Sequence, residues 1–382
     1  MGAGVTLRQL DEDPHPLLAR LRASEPVSWV PALGGWLVTR YDLAVEVMRD
    51  TRRFTVDDPR FSTAQVVGPS MLSLDGSEHD RHRAPFTGPF RARAVRERFA
   101  AEVASSAERL VARLVPAGAA ELRRDFAGPL AAVIVARALG LAEDEVGDVL
   151  SWYERIVAAV TSITAGEPAP AAGADAFGSL RARLQGVMRG DSLLAAVAAG
   201  TNLSDEQVIS NAAILLFGGI ETTEGMITNT ILHLLERPAV LADARADPEL
   251  LGAAIEESLR LEPAASVVDR YTTEPTSLGA ISLGAGQPVR VSIAGANRDP
   301  TVFAEPDRFN LARAGARRHL AFAQGPHVCL GIHLARLEAR VGVGALLRGL
   351  PGLRLDGARP AEVRGLVFRK PSTLHVVWPA QA

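Results

Sequence analysis

Apolar residues recur at i, i+3 and i+4 through residues 78–86, 92–115, 125–139 and 143–164, the spacing that lines one face of a helix. Shorter stretches of the same kind cover residues 14–23 and 41–50. Between those two, residues 27–31 and 35–39 alternate around a turn and carry Trp and Val, which predicts a small hairpin. Residues 51–70 scatter Pro, Gly and Asp and read as an irregular loop, long enough to serve a binding site. A Pro-, Ala- and Gly-rich run at 166–174 reads as a flexible connector between two helices.

The clearest helix begins at Ser204, an N-cap with Gln207 three residues on to complete a capping box. Its apolar spacing runs to Leu235 before Arg237-Pro238 stops it, a span of roughly 48 Å, long enough to cross a core. Two shorter helices are predicted near 240–246 and 250–261. Past Pro263 the pattern turns to strands at 267–272, 281–283 and 288–293, followed by a Pro- and Phe-rich irregular stretch at 296–314. A last long helix is predicted from near Cys329 to Gly349, with closing strands at 353–355 and 374–378. Neither an internal repeat nor a linker divides residues 1–382, so the expectation is one domain, mainly α with a small β-sheet portion.

Composition narrows the function classes. Hydrophobic residues make up 47% and charged residues 22%, the balance of a soluble globular protein. Lys and Arg total 41 against 44 Asp and Glu, a net charge of −3 that excludes a nucleic-acid coat. Lys370 is the one lysine, and the Arg-, Ala- and Gly-rich remainder suits a bacterial source. The N-terminus lacks the pattern of a signal peptide. The longest apolar run, 212–220, is broken by glycines and then by Glu221 to Glu224, well short of the about 20 residues a membrane span needs. A cytoplasmic location follows as the expectation, and a lone Cys329 can form no intramolecular disulfide.

That cysteine sits in Phe322-Ala323-Gln324-Gly325-Pro326-His327-Val328-Cys329-Leu330-Gly331. Gly325 and Pro326 predict a tight turn before it. In the first turn of the following helix its thiolate is favoured by free backbone N–H groups and the positive dipole end. Gly331 lets a flat ligand approach the backbone, and Phe322 offers an apolar cover, a setting that suits a thiolate-ligated haem iron. Two plainer readings compete. A lone Cys is often a small buried hydrophobe, and His319, His327, Cys329 and His333 could supply zinc, although structural zinc prefers paired spacings such as CxxC.

Three other patterns carry chemistry. Glu257 and Arg260 stand i, i+3 on one helix face, where an ordinary exposed pair is the plain reading. In the long helix, Gly218-Gly219-Ile220-Glu221-Thr222-Thr223 sets two glycines, each about 1 kcal/mol less favourable than Ala, beside an acid and an alcohol able to pass protons. His79 and Arg83 stand i, i+4, and arginine suits paired recognition of carboxylates.

The thiol segment resembles the haem-binding loop of the cytochrome P450 family, Phe-x-x-Gly-x-His/Arg-x-Cys-x-Gly, and matches it at every fixed position, with Ala323 where Gly is usual. Glu257–Arg260 is similar to that family's ExxR pair, and Gly218 to Thr222 to its oxygen-binding turn, with Gly218 where Ala is commoner. The resemblance extends over essentially the whole chain. It implies the cytochrome P450 fold, with haem b between the long central helix and the Cys-bearing helix and Cys329 as the iron ligand. By the same resemblance His79, Arg83, Arg270 and His327 hold the propionates, while Gly218, Phe322, Gly325 and Gly331 shape the haem site. Glu221 and Thr222 are then catalytic, and Glu257 and Arg260 structural.

The activity implied is that of a monomeric monooxygenase that activates O2 and hydroxylates or epoxidises a lipophilic small molecule, in secondary or lipid metabolism. Electrons come from a separate ferredoxin or flavodoxin with its NAD(P)H reductase, for which Arg91, Arg93, Arg317, Arg318 and Arg336 are the expected basic docking face. Candidate pocket residues are Val66, Val67, Met71, Leu72, Phe217, Ala265, Val268, Leu366 and Val367, a largely apolar set. The alternatives are a peroxide-dependent haem-thiolate enzyme, which has no use for Glu221-Thr222, and a non-catalytic haem sensor, which has none for an apolar pocket.

Overall fold

A computed structural model describes residues 1–164, 167–190 and 192–379. The Asp205–Leu235 helix is its axis, 31 residues or about 46 Å long. Ser204 and Gln207 form the predicted capping box, each side chain accepting from the other's backbone N–H. The helices Gly128–Leu139, Pro248–Leu261 and Ile332–Gly349 pack around it. Its second half is therefore buried on nearly every side rather than along one stripe, polar Thr228, Asn229 and Thr230 included.

A five-stranded sheet covers one flank in the order Val27–Val30, Gly35–Val38, Pro288–Ser292, Val267–Thr272, Phe54–Thr55. Gly35–Val38 runs parallel to Pro288–Ser292; the other pairs are antiparallel. The predicted N-terminal hairpin and the later strands thus meet across the length of the chain, a pairing that no local pattern announces. Val268 pairs with Val291 and Arg270 with Val289, so Val268 and Arg270 point to one face of the sheet.

Several expectations need correcting. Residues 51–70 are not all loop, since Phe54–Thr55 is an edge strand and Ser62–Val67 a helix. A two-residue strand and a helix of under two turns are too short to show a period. The helix expected from Asp125 begins instead as one π-turn, Arg123–Ala127, before Gly128–Leu139. Gly166, the first residue of the expected connector, lies outside the described residues, and the next helix, Ala171–Val187, has already begun within that stretch.

One ion cluster ties the irregular stretch after Ala296 to the Pro248–Leu261 helix. Glu257 and Arg260 are fully buried, and Arg260 Nε and Nη2 each donate to Glu257 at 2.9 Å. The guanidinium also donates to the carbonyls of Asn297 at 3.0 Å, Pro306 at 2.6 Å and Arg308 at 3.2 Å. Arg313 Nε, at 2.8 Å, and the Asn310 N–H, at 3.0 Å, complete the shell of Glu257. The pair is internal, not an exposed helix pair. Arg260→Ala is expected to cost about 3–5 kcal/mol, because it strands a buried carboxylate. Arg260→Lys should not restore it, since an ammonium lacks the planar fork. Denaturant unfolding measures both, and a loss below about 1 kcal/mol for Arg260→Ala would contradict the assignment.

Candidate active site

The thiol stands in a loop rather than in a helix. The Ile332–Gly349 helix starts three residues after Cys329, with Gly331 as its N-cap, so the expectation that Cys329 lies in the first helical turn is corrected. A 3₁₀ turn, Gly325–His327, precedes it, and the Cys329 N–H donates to Phe322 O at 2.9 Å, closing the loop on itself. Gly325 has φ +74°, and a Cβ there would stand 2.7 Å from Met48 O, so turn and packing both require glycine. Ala323 holds φ +58° without being glycine. Burial pushes the Cys329 thiol up, against the opposing pull of the Gly331 N–H, Arg83 and Arg336.

Phe322 braces this loop. Arg336 lies over its ring at 4.7 Å and the His319 ring at 5.9 Å. Both neighbours bind Glu256, Arg336 at 2.7 and 2.8 Å and His319 at 3.1 Å. Burial alone would raise the Glu256 carboxyl, but His319 and Arg336 hold it down at about 2. Arg336 is thereby withdrawn from the expected docking face; Arg91, Arg93, Arg317 and Arg318 remain exposed. His319 is equally withdrawn from any zinc set, and among the described residues no three His, Cys, Asp or Glu side chains gather as metal ligands.

The thiol opens on a cavity of about 810 Å³. Arg83, Gly218, Arg270, Phe322, His327 and Gly331 share its wall with Cys329. Gly325 does not, because it faces Met48, and its part is the turn. Nor does His79, which is buried with its ring 4.5 Å from that of His327. His327 Nε2 is held by Asp75 Oδ1 at 2.8 Å, and Arg83 Nη2 donates to Val328 O at 2.6 Å. Burial lowers both arginines, Arg270 to about 10. His79 Nε2 and Arg270 Nε are buried and have no hydrogen-bond partner among the described residues. Buried polar groups are rarely left so, and with Arg83 on the same wall they suit the carboxylates of a bound group. A Cβ on Gly331 would reach only Cys329 Sγ, at 3.9 Å, and one on Gly218 would meet nothing within 4 Å. The residues therefore fit a flat, dianionic macrocycle against the sulfur.

The two adjacent glycines of the long helix differ. Gly218 opens onto the cavity, whereas a Cβ on Gly219 would strike Val135 Cγ2 at 2.8 Å. Only one of them widens the groove; the other seats the Gly128–Leu139 helix. Thr222 Oγ1 donates to Gly218 O at 2.6 Å, and Glu221 is buried with Oε1 2.7 Å from Lys370 Nζ. Both residues line the cavity.

Met71, Leu72, Phe217, Ala265, Val268, Leu366 and Val367 line it as expected, but Val66 and Val67 do not. The Ser62–Val67 helix turns Ser62 and Thr63 to the cavity, and its valines pack into the core instead. Sequence reasoning missed Val135, Val157 and Val160, which occupy ordinary core positions in their helices, and Lys370.

In a mainly helical frame, a single thiol, an acid–alcohol pair and two arginines around one mainly apolar cavity are the marks of a haem-thiolate oxygenase. A sequence profile of the cytochrome P450 family matches residues 242–351. Cytochrome P450 107B1 of Saccharopolyspora erythraea is 34% identical over 92% of this chain and 91% of its own length. Mycinamicin IV hydroxylase/epoxidase of Micromonospora griseorubida is 33% identical over 94% of both chains. The solved structure of a cytochrome P450 from Chondromyces apiculatus superposes with a TM-score of 0.89 at 28% identity, covering 100% of each chain. The chain belongs to the cytochrome P450 family; it is a monooxygenase, and its cofactor is haem b. No helix of the described residues is long and apolar enough to cross a membrane.

Two measurements probe the thiol loop. Left-handed backbone costs a non-glycine residue about 1–2 kcal/mol, and the looser unfolded chain of a glycine variant returns about 0.4–1 kcal/mol. Ala323→Gly is thus expected to stabilise by about 0.5–1 kcal/mol in thermal or denaturant unfolding; a loss would contradict the strain. Glu256 titrates lower in the fold than its ordinary 4.5, so the stability it adds is present above pH 4.5 and lost as pH falls toward 2. The stability gap between wild type and Glu256→Gln, at most about 3 kcal/mol near neutrality, is expected to narrow over that window. A gap constant with pH would show that the carboxylate's charge is not what matters.

Proposed function

We propose that Cys329 ligates the haem iron through Sγ and that Arg83, Arg270, His79 and His327 hold the propionates. Haem b, when bound, supplies the redox chemistry that activates dioxygen and delivers one oxygen atom to carbon. The observation that carries this reading is a shared wall: the chain's one thiol and the Glu221–Thr222 pair line the same apolar cavity. Thr222 Oγ1, fixed by its donation to Gly218 O, keeps its oxygen free to accept a hydrogen bond, and Glu221 places a carboxylate in the adjacent wall to relay protons. Phe322, Gly218 and Gly331 leave the ring its space, and Gly325 sets the turn that presents the sulfur. Glu257 and Arg260 touch none of this chemistry and hold the frame.

The substrate is a lipophilic small molecule. Met71, Leu72, Val135, Phe217, Val268 and Val367 give it an apolar wall that also excludes water. Hydroxylation or epoxidation is the outcome, supported by similarity to a relative named for both reactions. Electrons arrive from a separate ferredoxin or flavodoxin reduced at the expense of NAD(P)H, in the cytoplasm. Arg91, Arg93, Arg317 and Arg318 form the basic docking face for that acidic partner.

The reduced, CO-bound protein tests the ligand. A thiolate red-shifts the main absorption band strongly, and Cys329→His is expected to lose that shift; an unchanged band in the variant sinks the assignment. Thr222→Ala is expected to bind haem normally but to divert reductant to hydrogen peroxide. The ratio of product to NAD(P)H consumed, measured on the compound giving the largest spectral shift among a macrolide, a steroid and dodecanoic acid, reads this out. Unchanged coupling would remove Thr222 from the mechanism.

A further inference from the structure

The chain's single lysine is nearly buried beside the acid of the acid–alcohol pair. Lys370 Nζ lies 2.7 Å from Glu221 Oε1 and 3.0 Å from Glu224 Oε1. Glu224 pairs in turn with Arg123 Nε, and Arg123 Nη1 donates to Ser372 O at 2.9 Å while the side chain reaches solvent. Carboxylates and cations therefore alternate from the cavity wall at Glu221 to the surface at Arg123, and the charges balance.

The backbone makes room for this chain of ions. A Cβ on Gly225 would stand 2.8 Å from Ala264 Cβ, so glycine lets the backbone at Ala264, whose carbonyl accepts from the Arg369 N–H at 2.9 Å, lie against the long helix, with Lys370 Cβ at ordinary contact distance beside it. A Cβ on Gly128 would stand 3.2 Å from Glu224 Oε2. Arg123 opens the π-turn, a local widening of the helix that re-aims side chains and recurs at functional sites. Stability is a weak reason for such a cluster, because removing ions from water can cost more than their attraction returns. Lys370 Nζ is also at ion-pair distance from two carboxylates without an aligned hydrogen bond to either. An ammonium with three rotatable donors can serve both and is locked to neither.

We propose that Lys370 is a positioning residue for proton delivery: it holds the Glu221 carboxylate at the cavity wall, and Glu224, anchored by Arg123, sets where the ammonium stands. The proposal rests on the proton-relay role assigned to Glu221 above.

One lysine in the chain makes the test direct. Selective ¹⁵N-lysine labelling of the reduced, CO-bound holoenzyme yields a single side-chain ammonium signal. That signal is expected to shift in Glu221→Gln and again in Glu224→Gln; a signal unmoved by both overturns the pairing. In turnover on the compound selected by the spectral panel, Lys370→Met with wild-type haem content and CO spectrum is expected to lower product per NAD(P)H about 10- to 100-fold, the scale of a misplaced catalytic group. Lys370→Arg should recover most of it. Wild-type coupling in Lys370→Met, with coupling lost in Glu221→Gln, overturns the role of Lys370 and leaves Glu221 in place. Wild-type coupling in Glu221→Gln overturns the reading on which the proposal rests.

Discussion

Two adjacent carboxylates on one buried helix hold the loop that carries the thiol. Glu256 binds Arg336 and His319, one on either side of the thiol segment in the chain, and Glu257 binds Arg260 and Arg313. Residues 296–331 contain almost no regular structure, so few ladder hydrogen bonds locate Cys329. Buried ions are expensive to desolvate and are weak sources of net stability. What they provide here is placement. Each guanidinium has its donors committed in fixed directions, and a loop tied at several carbonyls has one way to lie.

That placement gives the cavity two kinds of wall. The Cys329 loop, the Gly76–Thr87 helix and the Val267–Thr272 strand bring a thiol and buried donors, while the long helix brings an acid, an alcohol and an open glycine. The rest is mainly apolar, from helices and turns far apart in the chain, with Ser62, Thr63, Thr161 and Thr164 among its polar members. The thiol, the acid–alcohol pair and the two arginines thus face a wall whose apolar majority limits the water that could compete.

Much of this was legible in the primary structure. The long helix, its capping box and the late switch to strands follow from period and cap chemistry, and the thiol, the acid–alcohol pair and the ExxR pair each stand within a few residues of their partners. What escaped had two causes. Short elements such as Ser62–Val67 carry no measurable period, and so Val66 and Val67 were expected on the cavity side when they face the core. Partners distant in sequence leave no trace along it: Lys370 beside Glu221, Asp75 beside His327 and Arg313 on Glu257 are 149, 252 and 56 positions apart.

Local chemistry by itself determined the helices, the family and the residues able to ligate, donate or relay, because those depend on side-chain type and on spacing within a turn or two. Only the tertiary structure decided which of them share a cavity, that His79 lies behind His327 rather than on its surface, that one glycine of a pair opens space while its neighbour fills it, and that the acid is met by the single lysine. Each of these is a contact across the core, set by how helices and strands pack, and packing is a property of the whole chain.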